Sequence, residues 1–288
     1  MEPIKRTIPM DDGAKLFTQV YEKGSKVWLI ATHGIGEHLQ RHSYLVDLFG
    51  HDLNIFQYDL RGHGRSGGEK AYISDFNVFY DDLDQCIRYL KEKYNMKHYI
   101  LFGHSMGALI TCGYAQKKFS DENRAMAVIV NAPPVGIPGP LGKIVDLIPD
   151  NFITKLSSYK ASIPLGGMVD LKYLSHRKDI IDDYLSDDLN HMKLHSKLLI
   201  ELVKASRDVF SKKINSLVPS FCSYGSADGI VSPAAIDTYF KEIETDFELK
   251  VIDGAYHEIH NELDKYRLPY FEYLKSVMTD VLYGNESN

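Results

Sequence analysis

The sequence predicts an α/β fold in which helices cover both faces of a mostly parallel sheet. Short apolar runs alternate with amphipathic helical stretches, as in strand–helix–strand units. The runs Val27–Thr32 and Ala127–Val130 are apolar throughout, as in strands buried on both faces. Between 135 and 216 the alternation stops and only helical pieces are expected. We therefore predict a helical cap, or lid, inserted between two parts of one core, residues 1–134 and 217–288.

Composition and charge exclude several classes of protein. The 288 residues are 44% hydrophobic and 25% charged, which is enough apolar material for a large core. A net charge of −6 argues against a nucleic-acid-binding surface. No apolar run reaches the length of a membrane span, and no signal peptide is predicted at the start. Cys86, Cys112 and Cys222 are odd in number and widely spaced, which favours reduced thiols in the cytoplasm.

The elements of the first core part follow from apolar runs and helix signals. Gly13 precedes a hairpin strand over 16–21, and 27–32 is the next strand. Asp75 is placed to cap a strong amphipathic helix. The remaining elements expected here are a helix over 44–49, a strand over 53–58, a helix over 76–94, and strands over 99–102 and 127–130.

After the cap the alternation of strands and helices resumes. A strand is predicted over 220–224, and Ser232–Pro233 then forms an N-cap and first-turn pair that opens a helix through Ile243. A last strand over 249–252 and a final helix over 268–282 complete the predicted core.

Gly103–Gly107 matches the Gly-x-Ser-x-Gly pattern between a predicted strand and a predicted helix. Such a turn holds its serine in a strained backbone conformation, with the hydroxyl projecting at the sheet edge. The pattern alone is weak evidence, because short glycine–serine patterns also arise by chance. A serine nucleophile further needs a general base, an acid that orients the base, and donors for the oxyanion.

Asp228 and His257 satisfy that need in the order expected for this kind of sheet. Ser105, Asp228 and His257 each follow a predicted strand, where open α/β sheets place their functional residues. Competing side chains lie in or after a helix, or a turn beyond the strand end: Asp237, Asp246 and His260.

Two other motifs suggest different chemistry and fit it poorly. Gly62–Gly67 satisfies a dinucleotide-binding pattern, but residues 59–61 separate it from the strand and no helix begins at once. His257–His260 superficially resembles the zinc-binding helix motif of metalloproteases. That motif has one more residue between its two histidines, which puts both rings on one face of the helix. We therefore expect neither a metal nor any other cofactor.

Motifs spread over nearly the whole chain point to one family. They are His33–His38, Asp59–Gly67, Glu69–Phe79, Gly103–Gly107, Gly225–Asp228, Gly254–His257 and, in the cap, Leu174–Ser175 and Tyr184–Asp188. On these residues the chain resembles serine esterases of the α/β-hydrolase fold. The resemblance is greatest to the monoacylglycerol lipase branch and its lysophospholipase-like relatives.

The resemblance implies the roles of the central residues. Ser105 would be the nucleophile, His257 the general base and Asp228 its orienting acid, while the N–H groups of Ile35 and Met106 would form the oxyanion hole. The substrate would be a monoacylglycerol or a lysolipid. Family members often have Ala where Ile35 stands, so its branched side chain would narrow the acyl entrance.

The resemblance also implies a polar pocket for the glycerol head group and a lid. The pocket maps onto Glu37, Arg41, Tyr184 and His260, for which an exposed polar rim is the alternative. In the cap, the apolar stretch 141–156 could shield an acyl tunnel and rest on a membrane as a peripheral contact, or simply pack onto the core.

Two further function classes stay open. An amidase such as a proline aminopeptidase would need an acidic pocket for a free amine, and Glu37 could serve, although neighbouring Arg41 argues against it. A non-catalytic lipid-binding protein would not need a complete Ser, Asp and His set.

Overall fold

The computed structural model describes residues 2–159, 162–167 and 169–284. Its strands are β1 (Ile4–Pro9), β2 (Lys15–Tyr21), β3 (Val27–Thr32), β4 (Asn54–Tyr58), β5 (His98–His104), β6 (Ala127–Asn131), β7 (Pro164–Gly166), β8 (Lys193–His195), β9 (Ser220–Gly225) and β10 (Phe247–Ile252). Its helices are α1 (Tyr44–Phe49), α2 (Asn77–Tyr94), α3 (Met106–Lys118), α4 (Gly139–Asp146), α5 (Asp150–Ser157), α6 (Lys178–Ser186), α7 (Ser196–Phe210), α8 (Pro233–Thr238) and α9 (Asp264–Tyr283).

One eight-stranded sheet forms the centre of the fold, in the order β1-β2-β4-β3-β5-β6-β9-β10. β1 and β2 form an antiparallel hairpin, and β2 also pairs antiparallel with β4. The pairs from β4 to β10 are all parallel. The carboxyl ends of the parallel strands therefore meet at one edge, where functional loops of such sheets lie. The predicted fold class is confirmed.

The side chains of each strand alternate between two apolar layers. In β3, Trp28 and Ile30 belong to one buried cluster, whereas Leu29 and Ala31 belong to the other. The first cluster is completed mainly by α2, α3 and α7, and the second by α1 and α9. Burial of a strand on both faces explains why β3 is apolar from Val27 to Ala31.

The segment between β6 and β9 contains α4 to α7, and it also contains a small antiparallel pair, β7 with β8. The sequence predicts no strand there, and that expectation is wrong. Each of these strands has only three residues, too few to show the alternation that distinguishes a strand. The pair lies close to the core, since the N–H of His191 donates to Gly36 O at 2.8 Å and that of His195 to Ala71 O at 3.0 Å.

The final helix begins earlier than predicted. α9 starts at Asp264 and contains Pro269 within its first turns, whereas the sequence predicts a helix start near Leu268. The turn before the proline is polar and gives no apolar signal. Within the described ranges, no helix has both the length and the apolar character needed to cross a membrane.

Candidate active site

Ser105 occupies a tight turn between β5 and α3. Its backbone has φ 53° and ψ −120°, a combination that costs free energy in a residue with a side chain. The N–H of Ser105 donates to Asn131 O at 2.9 Å, which ties the turn to β6. A Cβ on Gly107 would lie 2.5 Å from His33 O, so only glycine lets the turn approach the end of β3 this closely. The sequence of the turn therefore fixes where the serine stands.

Asp228 and His257 form a buried pair on the loops after β9 and β10. His257 Nδ1 lies 2.7 Å from Asp228 Oδ2. The other carboxylate oxygen accepts the N–H groups of Ile230, at 2.7 Å, and Val231, at 3.0 Å. The carboxylate is thus held from both sides, and it favours the histidine tautomer whose Nε2 is free to act as a base.

The environment of His257 favours its protonated form. Burial by itself would lower the pKa of this imidazole, but the charge and hydrogen bond of Asp228 outweigh it, with Glu258 and Glu37 adding to the effect. The pKa of His257 consequently lies above its ordinary 6.5. Such a group is poised to take up a proton from a nucleophile and to return it.

The serine turn and the histidine loop adjoin each other. His104, which precedes Ser105, has its ring centroid 4.9 Å from that of His257. His104 Nδ1 is 2.8 Å from Asn131 Oδ1. Burial, reinforced by the charge of His257, holds the pKa of His104 well below its usual range. His104 therefore stays neutral beside the buried pair.

Ile35 and Met106, the expected oxyanion donors, lie on the two segments that flank Ser105. Met106 is the first residue of α3, and the first N–H groups of a helix have no acceptor within it. A Cβ on Gly34, next to Ile35, would lie only 3.1 Å from Ser105 Cβ. The loop after β3 therefore runs directly against the serine.

The Ile35 side chain points toward the cap. It is half-buried and borders a cavity of about 20 Å³ whose other walls include Tyr184 and Leu194 of the cap. A space of that size holds about one water molecule. The branched side chain thus lies where the loop after β3 meets the cap.

Glu37 organises the loop that carries Ile35. Its Oε1 accepts the N–H of Gly34 and lies 2.9 Å from His42 Nε2, while its Oε2 is 3.4 Å from Arg41 Nε. Burial would raise the pKa of the Glu37 carboxyl, but His42, then His104 and Arg41, hold it well below its usual range. Glu37 is therefore a charged group whose Oε1 bonds Gly34 and His42, while its Oε2 faces Arg41.

Arg41 connects this loop to Glu258, the residue after His257. Its guanidinium binds both carboxylate oxygens of Glu258, with Nε to Oε1 at 3.1 Å, and lies 4.8 Å from the centre of the Tyr184 ring. Tyr184 in turn donates its hydroxyl to Gly36 O at 2.9 Å. The sequence did not identify Glu258 as a site residue, although its position directly after His257 was an available signal.

His260 completes a buried polar cluster beside the serine turn. Its ring stacks on Tyr44 with centroids 4.7 Å apart and lies 4.9 Å from the His42 ring. In the described part of the chain, five buried atoms of this cluster have no hydrogen-bond partner: Glu37 Oε2, His42 Nδ1, the Tyr44 hydroxyl, and both ring nitrogens of His260. Unmet buried polar atoms cost about 1–3 kcal/mol each, so a water or a ligand hydroxyl would be stabilised here.

The structure separates the predicted site residues from their competitors. Glu37, Tyr184 and His260 are buried, so they do not form the exposed rim that the sequence left open. Asp246 instead pairs with Lys213 at the surface.

Arg41 binds Glu258, the glutamate of the zinc-like motif. Among the described residues, no group of three His, Cys, Asp or Glu side chains is placed to hold a metal ion.

Comparison with known proteins adds to this geometry. Residues 24–264 match the family model described as serine aminopeptidase, S33. The monoglyceride lipase of Homo sapiens is 30% identical over 257 residues, covering 88% of this chain and 82% of that protein. The monoacylglycerol lipase of Mycolicibacterium smegmatis is 24% identical, covering 81% of this chain and 82% of that protein.

Solved structures share the same fold. A soluble variant of monoglyceride lipase from Saccharomyces cerevisiae, in complex with a substrate analog, superposes with a TM-score of 0.80 at 21% identity. The match covers 98% of this chain and 96% of that one.

Proposed function

The chain belongs to the serine aminopeptidase S33 family, and from that premise we propose that it hydrolyses monoacylglycerols to a fatty acid and glycerol. It is a serine hydrolase of the α/β-hydrolase fold that acts on carboxylic esters. The observation that carries the proposal is the strained turn of Ser105 beside the buried pair of His257 and Asp228.

The proposed reaction has two halves that share one base. Ser105 Oγ attacks the ester carbonyl carbon while His257 Nε2 takes the hydroxyl proton, and the N–H groups of Ile35 and Met106 stabilise the oxyanion. His257 then gives this proton to the glycerol oxygen as its bond to the acyl carbon breaks. In the second half His257 deprotonates a water that attacks the acyl-enzyme, and the returned proton restores the Ser105 hydroxyl.

The buried polar cluster supplies hydrogen-bonding atoms of the kind that a glycerol head group would need. Glu37 Oε2 and the ring nitrogens of His260 could exchange hydrogen bonds with the two free hydroxyls of a monoacylglycerol, as could the Tyr44 hydroxyl. Arg41 and Tyr184 would fix the wall of this pocket, because each is already bonded to a protein partner. A head group that left these atoms unmet would bind less well.

The cap offers an apolar surface for a lipid interface. Ile144, Leu147, Phe152 and Leu156 on or beside α4 and α5 are exposed, and Leu147 is 82% exposed. Ile153 in the same stretch is buried, so only part of the stretch packs inward and these four side chains remain at the surface. Apolar side chains on a helical surface favour binding at a lipid–water boundary, so the cap would rest there as a peripheral contact.

The amidase alternative is weaker on the same geometry. Capture of a free amine would need an uncompensated carboxylate near Ser105. Glu37 is instead bonded to His42 and lies 3.4 Å from Arg41 Nε, and Glu258 is bound by the same arginine. Both carboxylates therefore already have a cationic partner in Arg41.

A substrate panel tests the proposal. Purified enzyme would be given long-chain 1- and 2-monoacylglycerols, lysophospholipids, a simple ester and an aminoacyl arylamide, with Ser105→Ala as the inactive control. Glycerol release from the monoacylglycerols should exceed every other turnover. Faster turnover of lysophospholipid or arylamide by folded enzyme would overturn the substrate assignment.

Vesicle co-sedimentation tests the cap surface separately. Leu147→Ser should weaken binding to phosphatidylcholine vesicles. Leu217→Ser is the matched control, because Leu217 is 75% exposed but lies at the opposite end of β9 from the catalytic loops. Equal binding by the two variants would contradict a lipid-facing cap.

A further inference from the structure

A short part of the cap, residues 171–176, is bonded to the loop that carries the catalytic histidine. The carbonyl of Tyr173 accepts the N–H of His257 at 3.0 Å, and that of Leu174 accepts the N–H of Glu258 at 2.8 Å. These two backbone hydrogen bonds fix the position of the histidine loop relative to the cap. One of them is made by the catalytic histidine itself.

The same cap segment also covers the loop of the catalytic acid. A Cβ on Gly229, the residue after Asp228, would lie 2.7 Å from Tyr173 Cδ1. The Tyr173 ring additionally meets the Tyr256 ring edge to face, with centroids 5.5 Å apart. One cap residue therefore contacts both loops whose separation sets the bond between His257 and Asp228.

Glu262 connects the cap segment 171–176 to the loop that carries His257. Its side chain is fully buried. Its Oε1 accepts the N–H of Tyr256 at 2.9 Å and lies 2.6 Å from His176 Nδ1. Its Oε2 accepts the N–H of His176 at 3.2 Å and that of Leu263 at 3.0 Å. A buried carboxylate with four donors is stable only while all of its partners stay in place, so it couples them rigidly.

His176 is the cap side of this connection. Its imidazole stacks on the Tyr256 ring with centroids 3.7 Å apart and an interplanar angle of 18°. The side chain remains 29% exposed, so substitutions there are tolerable for folding. Tyr256, directly before His257, is thus held through its N–H by Glu262 and through its ring by His176.

We propose that Glu262 and His176 are positioning residues for the ester hydrolysis proposed above, and that residues 171–176 are a fixed brace on the histidine loop. The inference rests on that proposed function. If this segment lifted with a moving lid, it would break both backbone bonds and release His257 from its alignment with Asp228. Opening of the cap for substrate must therefore occur elsewhere, and the brace must stay closed through the cycle.

Three substitutions test the brace. Glu262→Gln places an amide where two N–H donors need an acceptor, and His176→Ala removes only the exposed partner. His176→Asn is the conservative variant, because its amide N–H can replace that of Nδ1. His195→Ala is the matched control, since His195 also joins cap to core, 3.6 Å from Glu69, but touches no catalytic loop.

Each variant would be measured by kcat and KM on an ester, by the pH profile of kcat/KM, and by the rate of labelling with a fluorophosphonate probe. Displacement of a reacting group by about 1 Å can cost about 10²-fold in rate, so Glu262→Gln should lose up to that factor in kcat with KM little changed. His176→Ala should lose less, His176→Asn should recover most of the loss, and His195→Ala should match wild type.

The pH profile separates positioning from loss of folded enzyme. A loosened His257 loses the Asp228 interaction that raises its pKa, so the acid limb should move to lower pH in Glu262→Gln and His176→Ala. Partial unfolding would lower the plateau and leave the limb in place. If His176→Ala were labelled at the wild-type rate and the acid limb of its pH profile did not move, the proposal of a brace would be overturned. This holds even if Glu262→Gln failed to fold.

The probe keeps the two proposals distinguishable. Labelling needs an activated Ser105 but no particular substrate. If wild type cleaved no monoacylglycerol yet was labelled in a way that depended on His176, the function would fail and the brace would stand. A folded wild type that the probe did not label would overturn both.

Discussion

Gly107→Ala is the sharpest test of how the serine turn is placed. A Cβ on Gly107 would lie 2.5 Å from His33 O and nearer still to Thr32 O. Both oxygens belong to the backbone at the end of β3, so they cannot turn aside as a flexible side chain would. The added methyl must therefore push the serine turn away from the loop that carries Ile35.

The size of the effect follows from that distance. Moving His33 O from 2.5 Å out to an ordinary contact of 3.4 Å takes a shift of at least about 0.9 Å between the two halves of the expected oxyanion hole, and Thr32 O, which is nearer still, needs a larger one. Misplacement on that scale can cost about 10²-fold in rate. Overpacking of a rigid core typically costs about 1–3 kcal/mol in the free energy of unfolding. We expect both losses in Gly107→Ala.

The assay pairs steady-state kcat on an ester with urea unfolding of the same preparation. Gly166→Ala in β7 is the control, because a Cβ there meets nothing within 4 Å and its φ is not positive. This control should keep both kcat and stability. A Gly107→Ala enzyme with wild-type kcat and unfolding midpoint would refute the placement of the turn against β3.

The remaining expectations concern the charged groups of the site. His257 must be neutral to act as a base, and its pKa is raised, so kcat/KM should fall as pH drops through a value above 6.5. Asp228→Asn should move this limb to lower pH, since burial then dominates, and should reduce kcat by about 10⁴-fold; an unmoved limb in a pH titration would contradict this. Arg41→Leu leaves Glu258 buried without its partner and should cost about 3–5 kcal/mol of unfolding free energy. Arg88→Leu removes a pair whose arginine is 53% exposed and should cost no more than about 1 kcal/mol; equal losses in urea unfolding would count against the buried network.

Much of the fold can be predicted from local patterns in the sequence. β3 is observed at the predicted bounds, because its run of five apolar residues ending at Thr32 is typical of a strand buried on both faces. Helix α1 also begins and ends where the sequence predicts. The fold class and the family resemblance are both confirmed. β7 and β8 were missed because three residues hold no measurable period.

The connections around the site depend on contacts that no local pattern encodes. Arg41 and Glu258 are 217 residues apart in the chain, and His176 and Glu262 are 86 apart. The sequence could mark Glu37, Arg41 and His260 only through a family resemblance. It could not show which partners neutralise them. The roles of the triad, the oxyanion donors and the head-group pocket stay proposals that the experiments above address.

Trapping of the acyl-enzyme tests the central claim most directly. Wild type and Ser105→Ala would be mixed with a slowly deacylating ester, quenched in acid and digested, and the acyl mass located by mass spectrometry. We expect the adduct on the peptide that contains Ser105, and none in Ser105→Ala. An adduct on any other residue, or undiminished turnover of monoacylglycerol by folded Ser105→Ala, would contradict a covalent mechanism at Ser105.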